Sequence, residues 1–214
     1  MDSANSRPAV VLVHGIWMNS WFVFLLGRRL RAQGFCVYYF SYWPVFRGLS
    51  RCVAEFQHFV QALPHHSQLH FVGHSLGGKL IWCWIDQYHV RPLGRVVTLG
   101  SPHQDCAVAA QLVRHRWGRW LLGRAQTLLF QSQRQVPPGW QWGGIAGNHA
   151  LGLGRLLGSR LPAGDSAVLV EETRMSGMAD HQVLAVSHSG LLLSPSVFAQ
   201  VESFLRTGAF YRES

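Results

Sequence analysis

A serine flanked by two glycines is the strongest chemical feature of the sequence. Residues 69–80 are LHFVGHSLGGKL, which places Ser75 between Gly73 and Gly77 in a G-x-S-x-G pattern. The apolar run before it predicts a strand, and the residues after it predict a helix. A residue at the tip of such a turn is strained, and it lies where the helix dipole favours developing negative charge. Because neither G-x-G-x-x-G nor a P-loop pattern is present, we predict that Ser75 is a nucleophile.

A second glycine-containing turn follows the first apolar run of the chain. That run leads into His14-Gly15-Ile16-Trp17. Acyl transfer needs two backbone N–H groups aimed at the tetrahedral oxyanion. One belongs to the residue after the nucleophile, here Leu76, and the other to the loop after an early strand. We predict the Ile16 N–H as the second donor, with Trp17 as the alternative, and we expect His14 to stabilise the loop.

Three short motifs resemble those of α/β-hydrolases of the bacterial lipase and esterase type. They are VHGI at 13–16, GHSLGG at 73–78 and LGSPH at 99–103. The last is similar to the Gly-(Thr/Ser)-Pro-His that follows the next strand in that family, although QDC at 104–106 departs from its usual continuation. The resemblance runs from about residue 10 to about residue 210 in the family's order. It implies the α/β-hydrolase fold and a serine hydrolase.

The general base should come late in the chain, because this fold uses the order serine, acid, histidine. His188 lies in VLAVSHSG at 183–190, directly after a strand-like run, and resembles the family's late histidine segment. We therefore predict His188 as the base. His181 is the nearest competitor, but it precedes the strand-like run. The other histidines after Ser75 are His89, His103, His115 and His149.

The acid predicted to orient this histidine is Asp165. It lies in PAGDSAV at 162–168, which resembles the family's Asp-Gly-x-Val loop with Ser166 in place of glycine. It also follows a strand-like run at 143–146 at loop distance, where the fold places its acid. The alternatives are Asp180, Glu171 and Glu172.

These assignments predict a reaction that uses only the protein and water. His188 takes the proton of Ser75 as the oxygen attacks an acyl carbonyl, and Asp165 holds the imidazole tautomer. Water then hydrolyses the acyl-enzyme, and no metal or organic cofactor is expected. The predicted substrate is a small-molecule carboxylic ester with a short or medium acyl chain. A thioesterase, amidase or acyltransferase with the same triad remains an alternative, as does a non-catalytic basic binding module.

The elements that must position these residues alternate along the chain. Short apolar runs predict about six strands in a mostly parallel sheet, and longer patterns predict helices on both of its faces. We expect one domain over residues 1–214, with a cap-like helical insertion at about 106–141. Apolar residues of that insertion would either line an acyl pocket or pack over the sheet: Trp117, Trp120, Leu121, Leu122, Leu128, Leu129 and Phe130. The predicted strands cover 9–13, 35–40, 69–72, 95–99, 143–146 and 183–186, and the predicted helices 21–33, 49–63, 76–89 and 194–207.

The composition describes a strongly basic globular chain. It is 48% hydrophobic with a formal net charge of +9, and nearly all of the positive charge is arginine because Lys79 is the only lysine. The arginines are spread widely, with modest clusters at 28–31 and 114–124. Because no nucleic-acid-binding motif accompanies them, we expect solvated charge and no nucleic-acid partner. We expect no transmembrane segment, leave peripheral membrane contact open, and expect a cytoplasmic location because the first residues lack a signal-peptide core.

Overall fold

A six-stranded parallel sheet forms the centre of the molecule. The computed structural model describes residues 7–104, 106–133, 135–149, 165 and 167–212. The strands are β1 Ala9–Val13, β2 Cys36–Phe40, β3 Leu69–His74, β4 Arg95–Leu99, β5 Gln141–Gly147 and β6 Asp180–Leu184. Their order across the sheet is β2-β1-β3-β4-β5-β6, and every neighbouring pair is parallel. The predicted mostly parallel sheet of about six strands is confirmed.

Helices connect the strands and cover the sheet. Within the described ranges the α-helices are α1 Ser20–Ala32, α2 Pro44–Arg47, α3 Leu49–Gln61, α4 Leu76–Tyr88, α5 Ala107–Leu112, α6 Arg116–Leu122, α7 Gln126–Leu129, α8 Gly190–Leu193 and α9 Pro195–Thr207. Short 3-10 turns cover Gly123–Ala125 and Glu171–Thr173. The segment predicted as an insertion therefore contains α5, α6, a 3-10 turn and α7.

The two faces of the sheet bury separate apolar layers, because alternate residues of a strand point to opposite sides. Val10 and Leu12 of β1 pack with α1, α8 and α9. Val11 and Val13 of the same strand pack with α3, α4 and the insertion helices. All five residues of β1 are buried, as expected for a strand covered on both faces. Helices on both faces are thus confirmed.

The last strand differs most from its prediction. β6 starts at Asp180 and ends at Leu184, three residues before the predicted start and two before the predicted end. Its first residues are polar, so the apolar pattern missed them. Asp180 is accommodated because its carboxylate accepts the N–H groups of His181 and Phe210 and pairs with Arg212. His181 therefore lies on the strand, and the expectation that it precedes the strand is wrong.

The loops after the central strands meet at one edge of the sheet. Val13 pairs with Gly73, and His74 pairs with Leu99, so β1, β3 and β4 end at the same level. Ligand sites of open parallel sheets lie at this carboxyl edge. No helix in the described ranges has the length and apolarity needed to cross a membrane. The cytoplasmic location and the single domain over residues 1–214 stay predictions.

Candidate active site

Ser75 lies on the sharp turn that its flanking glycines predicted. Its backbone has φ 53° and ψ −123°, a conformation that costs free energy for a residue with a side chain. A Cβ on Gly73 would lie 2.5 Å from the backbone nitrogen of Gly78, and one on Gly77 would collide with the carbonyl oxygen of Val13. The turn can close only because both positions lack a side chain.

The loop after β1 lies directly beside this turn. A Cβ on Gly15 would be 3.1 Å from the Cβ of Ser75. His14 fixes the loop: its Nδ1 donates to the carbonyl of Gly15 at 2.8 Å, and its Nε2 accepts the N–H of Tyr42 at 3.3 Å. The hydroxyl of Tyr42 donates to the carbonyl of His14 at 3.1 Å. Burial lowers the pKa of His14, so its ring stays in the neutral form that this pattern requires.

Two backbone N–H groups near Ser75 are available to a bound group. Leu76 is the first residue of α4, so its N–H has no acceptor within the helix. Ile16 follows Gly15, and its N–H donates to no backbone carbonyl in the described part of the chain. Ile16 lines the same cavity as Ser75. Trp17, the alternative donor, has a positive φ of 57°, and its side chain is half exposed.

Asp165 and His188 form a direct pair at this edge of the sheet. Asp165 Oδ2 and His188 Nδ1 are 2.7 Å apart. The other carboxylate oxygen, Oδ1, accepts the N–H groups of Ala167 at 3.1 Å and Val168 at 2.9 Å. The Asp165 side chain is 1% exposed and that of His188 is 18% exposed. The carboxylate is therefore held by three hydrogen bonds, and part of the His188 side chain remains accessible. Residues 162–164 and Ser166 of the predicted acid loop lie outside the described residues.

His74, the residue before Ser75, holds the backbone of His188. Its Nε2 donates to the carbonyl of His188 at 3.1 Å, and the two ring centroids are 4.7 Å apart. Burial, with the neighbouring His188 as the second cause, lowers the pKa of His74 well below its ordinary value. The neutral ring thus positions His188 without adding a competing charge. Sequence reasoning missed this residue, because its contact with His188 joins positions 114 apart.

The rival histidines have other partners. His181 Nε2 is 2.8 Å from the hydroxyl of Thr173, and burial lowers its pKa to about 4. His103 is fully buried and donates from Nδ1 to the amide oxygen of Gln133 at 2.9 Å.

The alternative acids also have structural partners. Glu172 accepts the N–H groups of Ala107 and Leu169 at 2.7 Å and 3.1 Å, and so caps the start of α5. Burial raises its pKa. The side chain of Glu171 is 82% exposed and pairs with Arg174. In the described residues, neither carboxylate is hydrogen bonded to a histidine.

A cavity of about 190 Å³ lies over Ser75 and His188. Its other walls are mostly apolar and include Leu112, Leu122 and Leu129 of the insertion. Two of the seven insertion residues that the sequence singled out therefore line a pocket. Trp117 and Trp120 are exposed instead. The remaining lining residues are Gly15, Ile16, Met18, His74, Pro102, Cys106, Val108, Ala109, Ala167 and Val168.

Cys106 is a second potential nucleophile in this cavity. Its thiol is buried, and burial raises its pKa to about 11. A thiol reacts through its thiolate. At neutral pH this group stays protonated, and its partner in the described residues is the carbonyl oxygen of Ala167, which is not a base that could activate it.

The only lysine of the chain anchors the insertion to the helix behind Ser75. Lys79 is fully buried in α4. Its Nζ donates to the carbonyl oxygens of Pro102 at 2.6 Å, Leu129 at 3.1 Å and Gln104 at 3.4 Å. Pro102 and Leu129 both line the cavity, so the ammonium group fixes two of its walls. Sequence reasoning did not assign this role, although a single lysine within an apolar helix was a usable clue.

Buried neutral histidines should make folding sensitive to acid. Burial lowers the pKa of His70 to about 4 and that of His103 to about 3. Below pH 6.5 the unfolded chain binds a proton on each of these histidines, whereas the folded chain does not. Their contribution to the free energy of unfolding is therefore fully present above that pH and is lost as the pH falls. We expect the free energy of unfolding to drop by about 2 kcal/mol per histidine between pH 7 and pH 5.

Urea denaturation at several pH values measures this loss. His70→Gln should make the pH dependence shallower, because it removes one of the two titrating groups. The fold should be retained, because the amide oxygen can still accept the N–H of Arg95 that His70 Nδ1 accepts. His58→Gln, at an exposed position, should leave it unchanged. A free energy of unfolding that is equal at pH 7 and pH 5 would contradict the prediction.

Comparison with known proteins identifies the fold. No protein-family model matches the sequence, and no curated protein matches it significantly. The crystal structure of the Bacillus licheniformis lipase BlEst2 in propeptide form matches with a TM-score of 0.73 and 19% identity, over 100% of this chain and 53% of that one. The chain thus spans about half the length of that lipase.

Two further crystal structures give the same result. The metagenomic carboxyl esterase MGS0156 matches with a TM-score of 0.66 and 17% identity, over 87% of this chain and 65% of that one. A lipase-esterase related protein from Clostridium acetobutylicum ATCC 824 matches with a TM-score of 0.64 and 11% identity, over 94% and 96%. The α/β-hydrolase fold implied by the sequence motifs is confirmed.

Proposed function

We propose that this chain, which has the α/β-hydrolase fold, is a serine hydrolase that cleaves carboxylic esters. Its triad would be Ser75 as nucleophile, His188 as general base and Asp165 as the acid. One observation carries the proposal: His188, which is hydrogen bonded to the buried Asp165, lines the same cavity as Ser75 on its strained turn. The structural matches to proteins named lipase and carboxyl esterase support it.

The hydrogen bond between Asp165 and His188 supports the following proposed steps. Asp165 accepts the proton of His188 Nδ1, which leaves Nε2 as the nitrogen with a free lone pair. Nε2 takes the proton of Ser75 as its oxygen attacks the acyl carbonyl, and it returns this proton to the leaving alcohol. Water then attacks the acyl-enzyme by the same route. The buried carboxylate stabilises the imidazolium formed in both halves of the reaction.

The oxyanion would be held by the N–H groups of Leu76 and Ile16. Both belong to rigid turns, since Leu76 starts α4 and the Ile16 loop is fixed by His14. Preorganised donors of this kind stabilise the tetrahedral intermediate by about 3 kcal/mol each.

The cavity sets the proposed substrate class. Its apolar walls suit an acyl chain, and about 190 Å³ is less than the roughly 300–1,000 Å³ of sites for drug-sized ligands. We therefore assign short and medium acyl esters to it. The helical insertion at about 106–141 would act as a cap, since it supplies Leu112, Leu122 and Leu129 to the walls.

Hydrolysis of nitrophenyl esters of increasing chain length tests this function. We expect higher kcat/KM for butanoate and octanoate than for palmitate, because the longer chain exceeds the cavity. Ala109 lines the cavity, so Ala109→Phe should lower kcat/KM for octanoate while retaining hydrolysis of acetate. Ala110→Phe is the matched control, because Ala110 is exposed on the same helix.

The outcome separates the alternatives. Equal losses for acetate and octanoate in Ala109→Phe would contradict the acyl-cavity assignment. Thioesters or anilides hydrolysed faster than every oxygen ester would favour the thioesterase or amidase alternative. The absence of turnover with all of these substrates would overturn the proposed function.

A further inference from the structure

Three large aromatic side chains are exposed beside the cavity. Trp17 is 51% exposed, Trp43 is 53% exposed and Phe46 is 64% exposed. The rings of Trp17 and Phe46 meet edge to face with centroids 6.5 Å apart. Trp17 directly follows Ile16, which lines the cavity. These aromatic groups are therefore part of the surface around the proposed active site.

A basic groove adjoins them. Its volume is about 410 Å³, and its lining includes Arg47, Arg51 and Arg124. Glu55 pairs with Arg47 at 2.6 Å and with Arg51 at 3.1 Å, which leaves a net positive charge and holds these two guanidinium groups together. Arg124 comes from the insertion, and its side chain lies over Gly48. The hydroxyl-bearing residues Ser50 and Thr127 complete the polar lining.

Helix α2 joins the aromatic side chains to the groove. Phe46 and Arg47 are its consecutive last residues, and Trp43 is its N-cap. Val45, which lies between Trp43 and Phe46, is buried. Gly123 of the predicted insertion packs closely against Val45, because a Cβ added to Gly123 would lie 2.6 Å from the carbonyl oxygen of Val45. The loop after β1, helix α2, the start of α3 and the predicted insertion thus form one continuous surface. We name it the aromatic–arginine face: Trp17, Trp43, Phe46, Arg47, Arg51 and Arg124.

We propose that the aromatic–arginine face docks on an anionic lipid bilayer. Amphipathic aromatic rings favour the boundary between headgroups and acyl chains, and clustered arginines are attracted to anionic headgroups. Aromatic rings and arginines lie together on this face, and the chain has a net charge of +9. An anionic bilayer therefore fits this face better than a neutral bilayer does. A lipid phosphate in this groove would be bound by its arginines through charge-assisted hydrogen bonds.

Docking in this orientation would bring the cavity to the lipid surface. Ile16 and Met18, on either side of Trp17, both line the cavity. A lipid ester could then enter without crossing bulk water. This consequence rests on the proposed ester hydrolysis, whereas the docking itself does not.

Vesicle binding by the Ser75→Ala protein tests the docking without any turnover. Flotation with phosphatidylcholine vesicles is compared with flotation with an equimolar mixture of phosphatidylcholine and phosphatidylglycerol. We expect binding to the mixed vesicles that weakens as salt is raised. Replacing Arg47, Arg51 and Arg124 together by Gln should lower the affinity by roughly a hundredfold, because each arginine near the surface contributes about fivefold.

A control with the same change in net charge identifies the face. Arg7, Arg28 and Arg91 are exposed elsewhere, and replacing all three by Gln should lower the affinity far less. Equal losses in both triple variants would show attraction by net charge alone and overturn the proposal. So would equal binding to neutral vesicles, or no binding to either kind.

The aromatic half of the face has its own test. The double variant Trp43→Ala and Phe46→Ala should weaken binding to mixed vesicles even in high salt, where the electrostatic attraction is screened. If this variant kept its affinity for the mixed vesicles, the proposal that Trp43 and Phe46 enter the bilayer would be wrong. Inorganic phosphate that binds the groove in calorimetry, without any vesicle binding by the protein, would assign the groove to a soluble anion and overturn the lipid proposal.

Discussion

Replacing Ser75 by alanine is expected to lower kcat for the preferred ester by a factor on the order of 10⁴–10⁶. The substitution removes only the hydroxyl and keeps the Cβ, so the strained turn and the cavity stay as they are. The N–H groups of Leu76 and Ile16 would remain, and any residual rate would come from them and from substrate binding. Steady-state kinetics with a nitrophenyl ester measures the effect.

Ser101→Ala is the matched control for this loss. Ser101 is also buried beside the turn, where its hydroxyl donates to the carbonyl of Gly73 across 3.4 Å. A long hydrogen bond of this kind contributes little, so we expect this variant to keep its activity. If Ser75→Ala retained kcat and Ser101→Ala lost it, the nucleophile assignment would be wrong.

Asp165→Asn should lower kcat by about 10⁴ with little change in fold. The amide oxygen of asparagine would keep the N–H groups of Ala167 and Val168 that Oδ1 accepts now. Its NH₂ group would then face His188 Nδ1, which must become an acceptor. The proton of the neutral ring would move to Nε2, and the ring could no longer take the proton of Ser75.

Asp180→Asn separates this effect from the loss of any acidic group near β6. Asp180 is the alternative acid, and its partners are the N–H groups of His181 and Phe210 and the side chain of Arg212. We expect near-normal kcat from this variant. If kcat fell further in Asp180→Asn than in Asp165→Asn, Asp165 would not be the acid of the triad and Asp180 would replace it in that role.

Local patterns were sufficient to place five of the six described strands within two residues, and to predict the sharp turn at Ser75. A parallel strand covered on both faces is apolar throughout, as in β1, and Gly73 and Gly77 mark a turn that side chains would block. The predicted position of β6 was too late in the chain because Asp180, His181 and Gln182 are polar. The carboxylate of Asp180 finds its hydrogen-bond partners near the end of the chain, in Phe210 and Arg212. Local pattern carries no information on such distant partners.

The predicted acid and base depended on chain order and on the family resemblance, and the structure brings their side chains into contact. The support for His188 from His74 was not predictable, because the backbone paths of two loops determine it. The basic groove could not be predicted from the sequence either. Its arginines come from two stretches, at 47–51 and 124, and α2, which unites them with Phe46, is only four residues long.

Covalent labelling by a fluorophosphonate, followed by peptide mass spectrometry, tests the central claim most directly. The reagent requires a serine activated by a neighbouring base. We expect one adduct per chain on the peptide that contains Ser75, no adduct in Ser75→Ala, and greatly slowed labelling in His188→Ala. An adduct on another residue, or labelling that is equally fast without the imidazole of His188, would contradict the account.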